Sequence, residues 1–400
     1  MINSHAPKTL YIPPNYGGAK SGLMALECDV GLERAISQTF RDNGFDVVVG
    51  AFEQERNPNA VGIHVDSLPY ADLSKHHEYY KFLVDKAIRT GATMPHEFTW
   101  DKALTCEKPI VAKHRSSNRG DGKYLLTSYE EKMRFLVWAL NGQSYFWVEG
   151  DTTDAKLEAA KKLCQRRERS LEVLAGITDE AKVSPRFFKG VEENVEIVSQ
   201  DYQFQEYVKS PSGKNASYRV VVDAKGEIHY IALITSEFER EQYDMRNWGD
   251  HPWGALDRDL FGTLTTSIFL THPNSPMHIP MYRIVSNRAQ GGNAILLSSN
   301  SIDRPKYSEV ERTLLEAHGL NPDKPQLPDE VLELSRRIAF EFRSRYPYGG
   351  LDYIQNPKGE FLFLEHNARP DMNPLALGLD AKMDPNEVTL EMMKRVAQKF

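Results

Sequence analysis

The sequence predicts an α/β protein with some α+β character, built from two or three lobes. Three observations carry this. At 400 residues the chain exceeds what one ordinary core holds. Residues 9–50 read as a strand–helix–strand unit. Two hairpin patterns, at 217–234 and 351–367, place apolar runs on either side of glycine-containing turns. Hydrophobic content of 40% and charged content of 26% are globular values.

Bulk properties narrow the class. A net charge of −7 and a pI near 6.0 disfavour nucleic acid and anionic membranes as partners. Cys28, Cys106 and Cys164 lie far apart, with neither metal spacing nor a disulfide framework, as expected in a reducing cytosol. Met1 to Lys8 lacks the apolar core of a signal peptide. No run approaches the ~18 apolar residues of a spanning helix. The expectation is a soluble cytoplasmic protein.

In chain order, Leu10-Tyr11-Ile12 is a short strand that runs into Pro13-Pro14-Asn15-Tyr16-Gly17-Gly18. A helix is predicted over Leu32–Asn43, stopped by Gly44, followed by a buried strand over Asp46–Val49. Gly17-Gly18 is no GxGxxG fingerprint and reads as a structural turn. Residues 76–95 carry a helix with Lys81 and Lys86, ending at Gly91. Pro109-Ile110-Val111-Ala112-Lys113 is a buried strand with a lysine at its end. The loop Ser116-Ser117-Asn118-Arg119-Gly120-Asp121-Gly122 follows, and Lys123–Leu126 returns as a strand. Small polar residues and two glycines would let backbone N–H groups approach a polyphosphate, although a plain hairpin loop fits the same pattern. It is not a P-loop, since strand–loop–strand replaces strand–loop–helix.

Ser128 is predicted to cap a helix over Tyr129–Leu140, with Glu131 completing a capping box. A further helix spans about 154–175, its charges forming a solvated face. Gln205-Glu206-Tyr207-Val208 precedes a Ser/Pro/Gly loop. Strands over 217–223 and 228–234 flank Ala224-Lys225-Gly226. Arg219 lies within the first of these apolar strands and needs an anion, either a protein carboxylate or a ligand phosphate. Residues 237–280 show no steady period and are expected to form a long loop or insertion. Strands near 281–287 and 294–297 flank Gly291-Gly292. Pro328 starts a helix to about Arg345 with the stripe Val331, Leu334, Ile338, Phe342. Asn386 is expected to cap the last helix, 387–400.

The hairpin at 351–370 holds the densest chemistry. Asp352 opens one strand, and Glu365 and Asn367 close the other, two residues apart and so on one face. Two carboxylates and an amide oxygen form a hard-oxygen set suited to Mg²⁺. A surface hairpin with scattered polar residues is the competing reading.

Taken together, the segments over about 79–375 resemble the ATP-grasp superfamily. Lys81 before Gly91 and Pro95, Lys113 with the loop to Gly122, the Gln205–Val208 hinge, Arg219, Asn287 with Gly291-Gly292, and Asp352/Glu365/Asn367 with Arg369 follow the family's order. The resemblance implies two lobes clasping ATP, preceded by a small Rossmann-like lobe. The implied boundaries are 1–78 for that first lobe, 79–204 for the small ATP-grasp lobe, and 205–400 for the large lobe with insertion 237–280. It also implies a carboxylate–amine ligase working through an acylphosphate. A carboxylase, a phosphotransferase or a non-catalytic ATP-binding protein is the alternative. ATP would be held by Lys81, Lys113, Ser116, Gly120, Gly122, Gln205, Glu206, Tyr207, Val208 and Asn287. Asp352, Glu365 and Asn367 would hold Mg²⁺, with Mn²⁺ as a substitute. Arg219 would serve the transferring phosphate, and Arg283 or Arg369 the acceptor carboxylate. The implied partners are a small-molecule carboxylate and amine, with a homodimer as one admissible assembly. The chain departs from the family at Gln290, where a base is usual, at Lys209–Gly213, which lacks the ribose-binding acid, and at Asp371, where glycine is common.

Overall fold

The computed structural model describes residues 6–12, 26–49, 57–63, 84–114, 123–129, 131–132, 135, 202–213, 215–235, 241–243, 281–283, 293–302, 306–344, 346–367, 370 and 372–400. They form three sheets. The first has three parallel strands in the order β2-β1-β3: β1 Thr9–Ile12, β2 Asp46–Val49 and β3 Ala60–Gly62. Helix α1, Leu26–Asp42, links β1 to β2 and begins earlier than the predicted Leu32. Gly44 takes the positive φ of 80° that ends it. The expectation that Asp46–Val49 is buried is corrected. β2 is an edge strand, and Val49 is 68% exposed. A short apolar run does not itself say whether a strand lies in the middle of a sheet or at its rim.

The second sheet has six strands in the order β10-β11-β6-β5-β7-β4. These are β4 Glu97–Phe98, β5 Ile110–His114, β6 Lys123–Leu126, β7 Tyr202–Glu206, β10 Glu241–Tyr243 and β11 Met281–Arg283. One face packs Tyr124, Tyr202 and Phe204 around Phe135 from the helix entered at Ser128. Ser128 Oγ accepts from Glu131 N at 3.1 Å, as predicted, but the Glu131 carboxylate returns to Thr127 N at 2.7 Å. The sheet draws strands from both sides of residue 204. β10 gives regular structure to the start of a segment that showed no period in the sequence.

The third sheet has five strands in the order β12-β9-β8-β13-β14, all antiparallel: β8 Ala216–Asp223, β9 Ile228–Thr235, β12 Asn293–Ser299, β13 Tyr348–Gln355 and β14 Phe361–Asn367. Both predicted hairpins are present. The strands flanking Gly291-Gly292 part company, since β11 joins the six-stranded sheet and β12 pairs with β9. Asp352 lies mid-strand rather than at a strand start, because β13 begins at Tyr348. Helix α2, Asp329–Phe342, covers one face with Val331, Ile338 and Phe342 against Tyr218, Val220, Leu351 and Tyr353. Helix α3, Pro385–Lys399, covers part of the other face. Asp384, not Asn386, caps α3, receiving N–H bonds from Asn386 and Glu387 at 2.8 and 3.0 Å. Pro385 at the first helical position and Glu387 three residues after the cap make Asp384 the better start. Val388, Met392, Met393 and Val396 of α3 share one core with Leu10, Ile12, Ile36 and Phe40 of the first sheet and α1.

Gly349 and Gly350 are the β13 positions without room for a side chain, and Gly349 is the tighter. A Cβ there would lie 2.3 Å from Nε2 of His366. That ring is held by stacking on Phe342 with centroids 4.4 Å apart. Gly349→Ala should therefore lower stability by about 1–3 kcal/mol. Urea unfolding with an unchanged midpoint would show that the ring can give way.

Candidate functional site

The five-stranded sheet brings four polar side chains to one face by register alone. Asp352 on β13, the strand between β8 and β14, faces Arg219 on β8 and Glu365 on β14, and Gly350, two residues away, faces Asn367. Directly opposed residues in an antiparallel pair share a face. Arg219 Nε and Nη2 donate to Asp352 Oδ1 and Oδ2, both at 2.8 Å. The arginine has thus found a protein carboxylate, and that carboxylate is one of the expected metal ligands. Burial works against the Arg219 charge, but Asp352 more than offsets this and holds its pKa above the ordinary guanidinium value. Asn367 Nδ2 donates to Asp352 Oδ2 at 2.9 Å.

The six-stranded sheet supplies the facing wall. Lys113 on β5 pairs in register with Lys123 on β6. Lys123 Nζ lies 3.8 Å from Glu365 Oε1, which joins the two sheets across the cleft. Lys123, with Lys113 and Arg219 adding, outweighs burial and holds the Glu365 carboxyl down at about 2. Burial first, and then Lys123, push Lys113 down to about 8, against the pull of Glu365 and Asp352. Three cations from β5, β6 and β8 thus converge on two carboxylates.

Two residues back along β5 the chemistry changes. Val111 pairs with Leu125 on the same face as the two lysines, and Tyr207 packs against them. This apolar patch lies about 7 Å from the lysine row, at 3.2–3.4 Å of strand rise per residue. Gln205 faces Val111 in register and shares that side of the sheet. Glu206 faces Ile110 on the other side, and its carboxylate is 2.9 Å from Lys108 Nζ. Tyr207 N–H donates to Pro109 O at 3.1 Å, and its hydroxyl donates to Asn215 Oδ1 at 2.9 Å. Val208 follows directly in the chain and is half-buried.

Of the residues singled out in the sequence, the structure brings Lys113, Arg219, Asp352, Glu365 and Asn367 together, with Gln205 beside them. Arg283 stands on β11 opposite Tyr124, one residue out of step with Lys123. Lys81, Ser116, Gly120, Gly122, Asn287 and Arg369 lie outside the described residues. Sequence reasoning missed Lys123, taking it only as the start of a return strand. The available signal was hairpin register, since a residue facing Lys113 shares its face.

The donor set suits a hard divalent cation. Asp352 and Glu365 are carboxylates with lone pairs beyond those already engaged, and Asn367 carries an amide oxygen. Among the described residues no group of three or more His, Cys, Asp or Glu side chains could hold a metal ion, so a cation here would rest on two carboxylates and the Asn367 amide. Among the described residues, too, no helix is long and apolar enough to cross a membrane.

No family model and no curated protein matches the chain. Among solved structures it is similar to the ATP-grasp ligase PsnB complexed with a minimal precursor, at 10% identity over 98% of this chain and 99% of that one, with a TM-score of 0.34. It is similar to a Chryseobacterium gregarium RiPP-associated ATP-grasp ligase in complex with ADP and a leader and core peptide, at 11% identity over 98% and 97%, with a TM-score of 0.34. D-alanyl-alanine synthetase A from Vibrio cholerae matches at 8% identity over 98% and 99%, with a TM-score of 0.35. These overlaps are loose, and the chemistry of the cleft rests on its own residues.

Two expectations follow from the charge arrangement. Arg219→Ala leaves Asp352 buried and unpaired and should cost about 3–5 kcal/mol, whereas Arg219→Met with Asp352→Leu should cost less. Equal losses in the single and double variants would show that the pair is not coupled. Glu365 is ionised more readily in the folded protein, so its contribution is present above its ordinary value of 4.5 and is lost as pH falls towards about 2. The stability difference between wild type and Glu365→Gln in metal-free buffer should shrink over that window. Denaturation at stepped pH reads it, and a constant difference would remove the cross-cleft attraction.

Proposed function

We propose that the chain is an ATP-grasp enzyme, an ATP-dependent carboxylate–amine ligase whose nucleotide lies between the five- and six-stranded sheets. The observation that carries this is the convergence of Lys113, Lys123 and Arg219 on Asp352 and Glu365 across one cleft. Cations alone would suit any anion. Cations interleaved with hard oxygen ligands suit a metal-complexed polyphosphate. The patch of Val111, Leu125 and Tyr207 gives the base an apolar platform at the other end of the same strands. Gln205 and the backbone of Glu206–Val208 border it, and the carboxylate of Glu206 is engaged elsewhere by Lys108.

Asp352, Glu365 and Asn367 would hold Mg²⁺, which, when bound, neutralises phosphate charge. Lys113 would hold the β-phosphate side, with Lys81 and the Ser116–Gly122 loop completing the cover. Arg219 uses two of its five N–H donors on Asp352, and its remaining Nη1 edge can take the transferring phosphoryl group. The acceptor carboxylate oxygen attacks the γ-phosphorus while the bond to the β-phosphate oxygen breaks, which gives an acylphosphate and ADP. An amine then attacks the acyl carbon, phosphate departs with the carbon–oxygen electron pair, and the nitrogen loses its proton. Of the two arginines named for the acceptor carboxylate, Arg369 is the one kept, since Arg283 is in register with Tyr124 on the sheet face away from the lysine row. A sheltered cleft protects the acylphosphate from water.

The test is turnover. Incubation with ATP, Mg²⁺ and pools of small carboxylates and amines should release ADP and phosphate only when both classes are present. Glu365→Gln should lower that rate by about 10²-fold or more. AMP as product, or phosphate release that needs no carboxylate, would exclude the ligase reading.

A further inference from the structure

The lysine row does not end at Lys113. On its other side β7 places Gln203 in register with Lys113, so that Lys123, Lys113 and Gln203 lie side by side on three adjacent strands and on one face. Gln203 is only 8% exposed. Its Nε2 is buried and has no hydrogen-bond partner among the described residues. A buried amide donor left unpaired is costly, and in native chains such a group usually has a protein, water or ligand partner. The same strand supplies Phe204 and Tyr202 to the apolar core on the opposite face, so the position facing the cleft is the one that carries the polar group. Lys123 meets Glu365 at 3.8 Å, longer than a direct charge-assisted hydrogen bond. That spacing leaves its ammonium donors for an anion placed between the sheets.

We propose that Lys123 and Gln203, flanking Lys113 in one cross-strand row, bind the phosphate chain of the nucleotide. This rests on the nucleotide reading given above and adds two residues to it. The six-stranded sheet then offers the polyphosphate two charges and one amide, spaced by the ~4.8 Å separation of neighbouring strands. Lys123 also supplies a cation in a chain that carries Gln290 where a base was expected.

Calorimetric titration of the full chain with Mg·ATP tests this, alongside unfolding of the ligand-free protein. Lys123→Met should weaken Mg·ATP binding about 10–100-fold, as for loss of a charged hydrogen bond, and Lys123→Arg should restore most of it. Gln203→Leu should weaken binding about 5–10-fold while leaving ligand-free stability equal or raised, because the donor it removes is unpaired. A structural glutamine would give the reverse, with lower stability and unchanged affinity, and would overturn the inference. So would binding within about twofold of wild type by both Lys123→Met and Gln203→Leu, with the ligase reading left standing. A wild-type protein that does not bind Mg·ATP would overturn the nucleotide reading and this inference together.

Discussion

The bidentate contact between Arg219 and Asp352 is the interaction on which the site depends. It joins β8 to β13 at the centre of the five-stranded sheet, with both partners largely buried. Two charges taken out of water are tolerated there because each satisfies the other in a planar, parallel pair of bonds. Register does the placing. Once β13 pairs with β8 on one side and β14 on the other, Arg219, Asp352 and Glu365 stand in a line across three strands. Gly350 leaves room beside that line, since a Cβ there would lie 2.7 Å from Pro370 and 3.5 Å from Arg219 Cδ.

The cleft follows from facing this line with a second one. Lys123 and Lys113 are set by the β5–β6 hairpin, and the gap between the sheets is bridged by Lys123 and Glu365. The charged row of each wall faces the other. Behind Lys113 the six-stranded sheet packs aromatic rings, and behind Asp352 the five-stranded sheet packs Tyr218, Leu351 and Tyr353 against α2. The charged groups therefore sit on rigid strands, and their positions are fixed by packing that takes no part in the chemistry.

Much of this was legible in the sequence, and the limits have physical causes. The hairpins were readable because turn residues and apolar runs are local signals, and the meeting of Asp352, Glu365 and Asn367 because period-2 geometry puts Glu365 and Asn367 on one face. Lys113 was readable from its place beside a glycine loop. Lys123 and Gln203 were not, because their meaning lies in which residue each faces across a strand pair. The same limit explains β2, whose apolar run says nothing of its edge position, and β11 and β12, whose adjacency in sequence hides their assignment to different sheets. Helix ends shifted where competing caps lay close together, as with Asp384 and Asn386.

The shared core of α1 and α3 ties the three-stranded sheet to residues 388–397. Leu10, Ile12 and Phe40 have their apolar partners in Met392, Met393 and Val396, more than 300 residues later. Contacts of such wide sequence separation carry a high loop-closure cost and form late in folding. Helix α3 completes a core that α1 and the five-stranded sheet also line, through Ile36, Phe40, Val221, Tyr230 and Tyr348. Closure of this core is therefore a long-range event, set by contacts made across most of the 400 residues rather than by local folding of the strands alone.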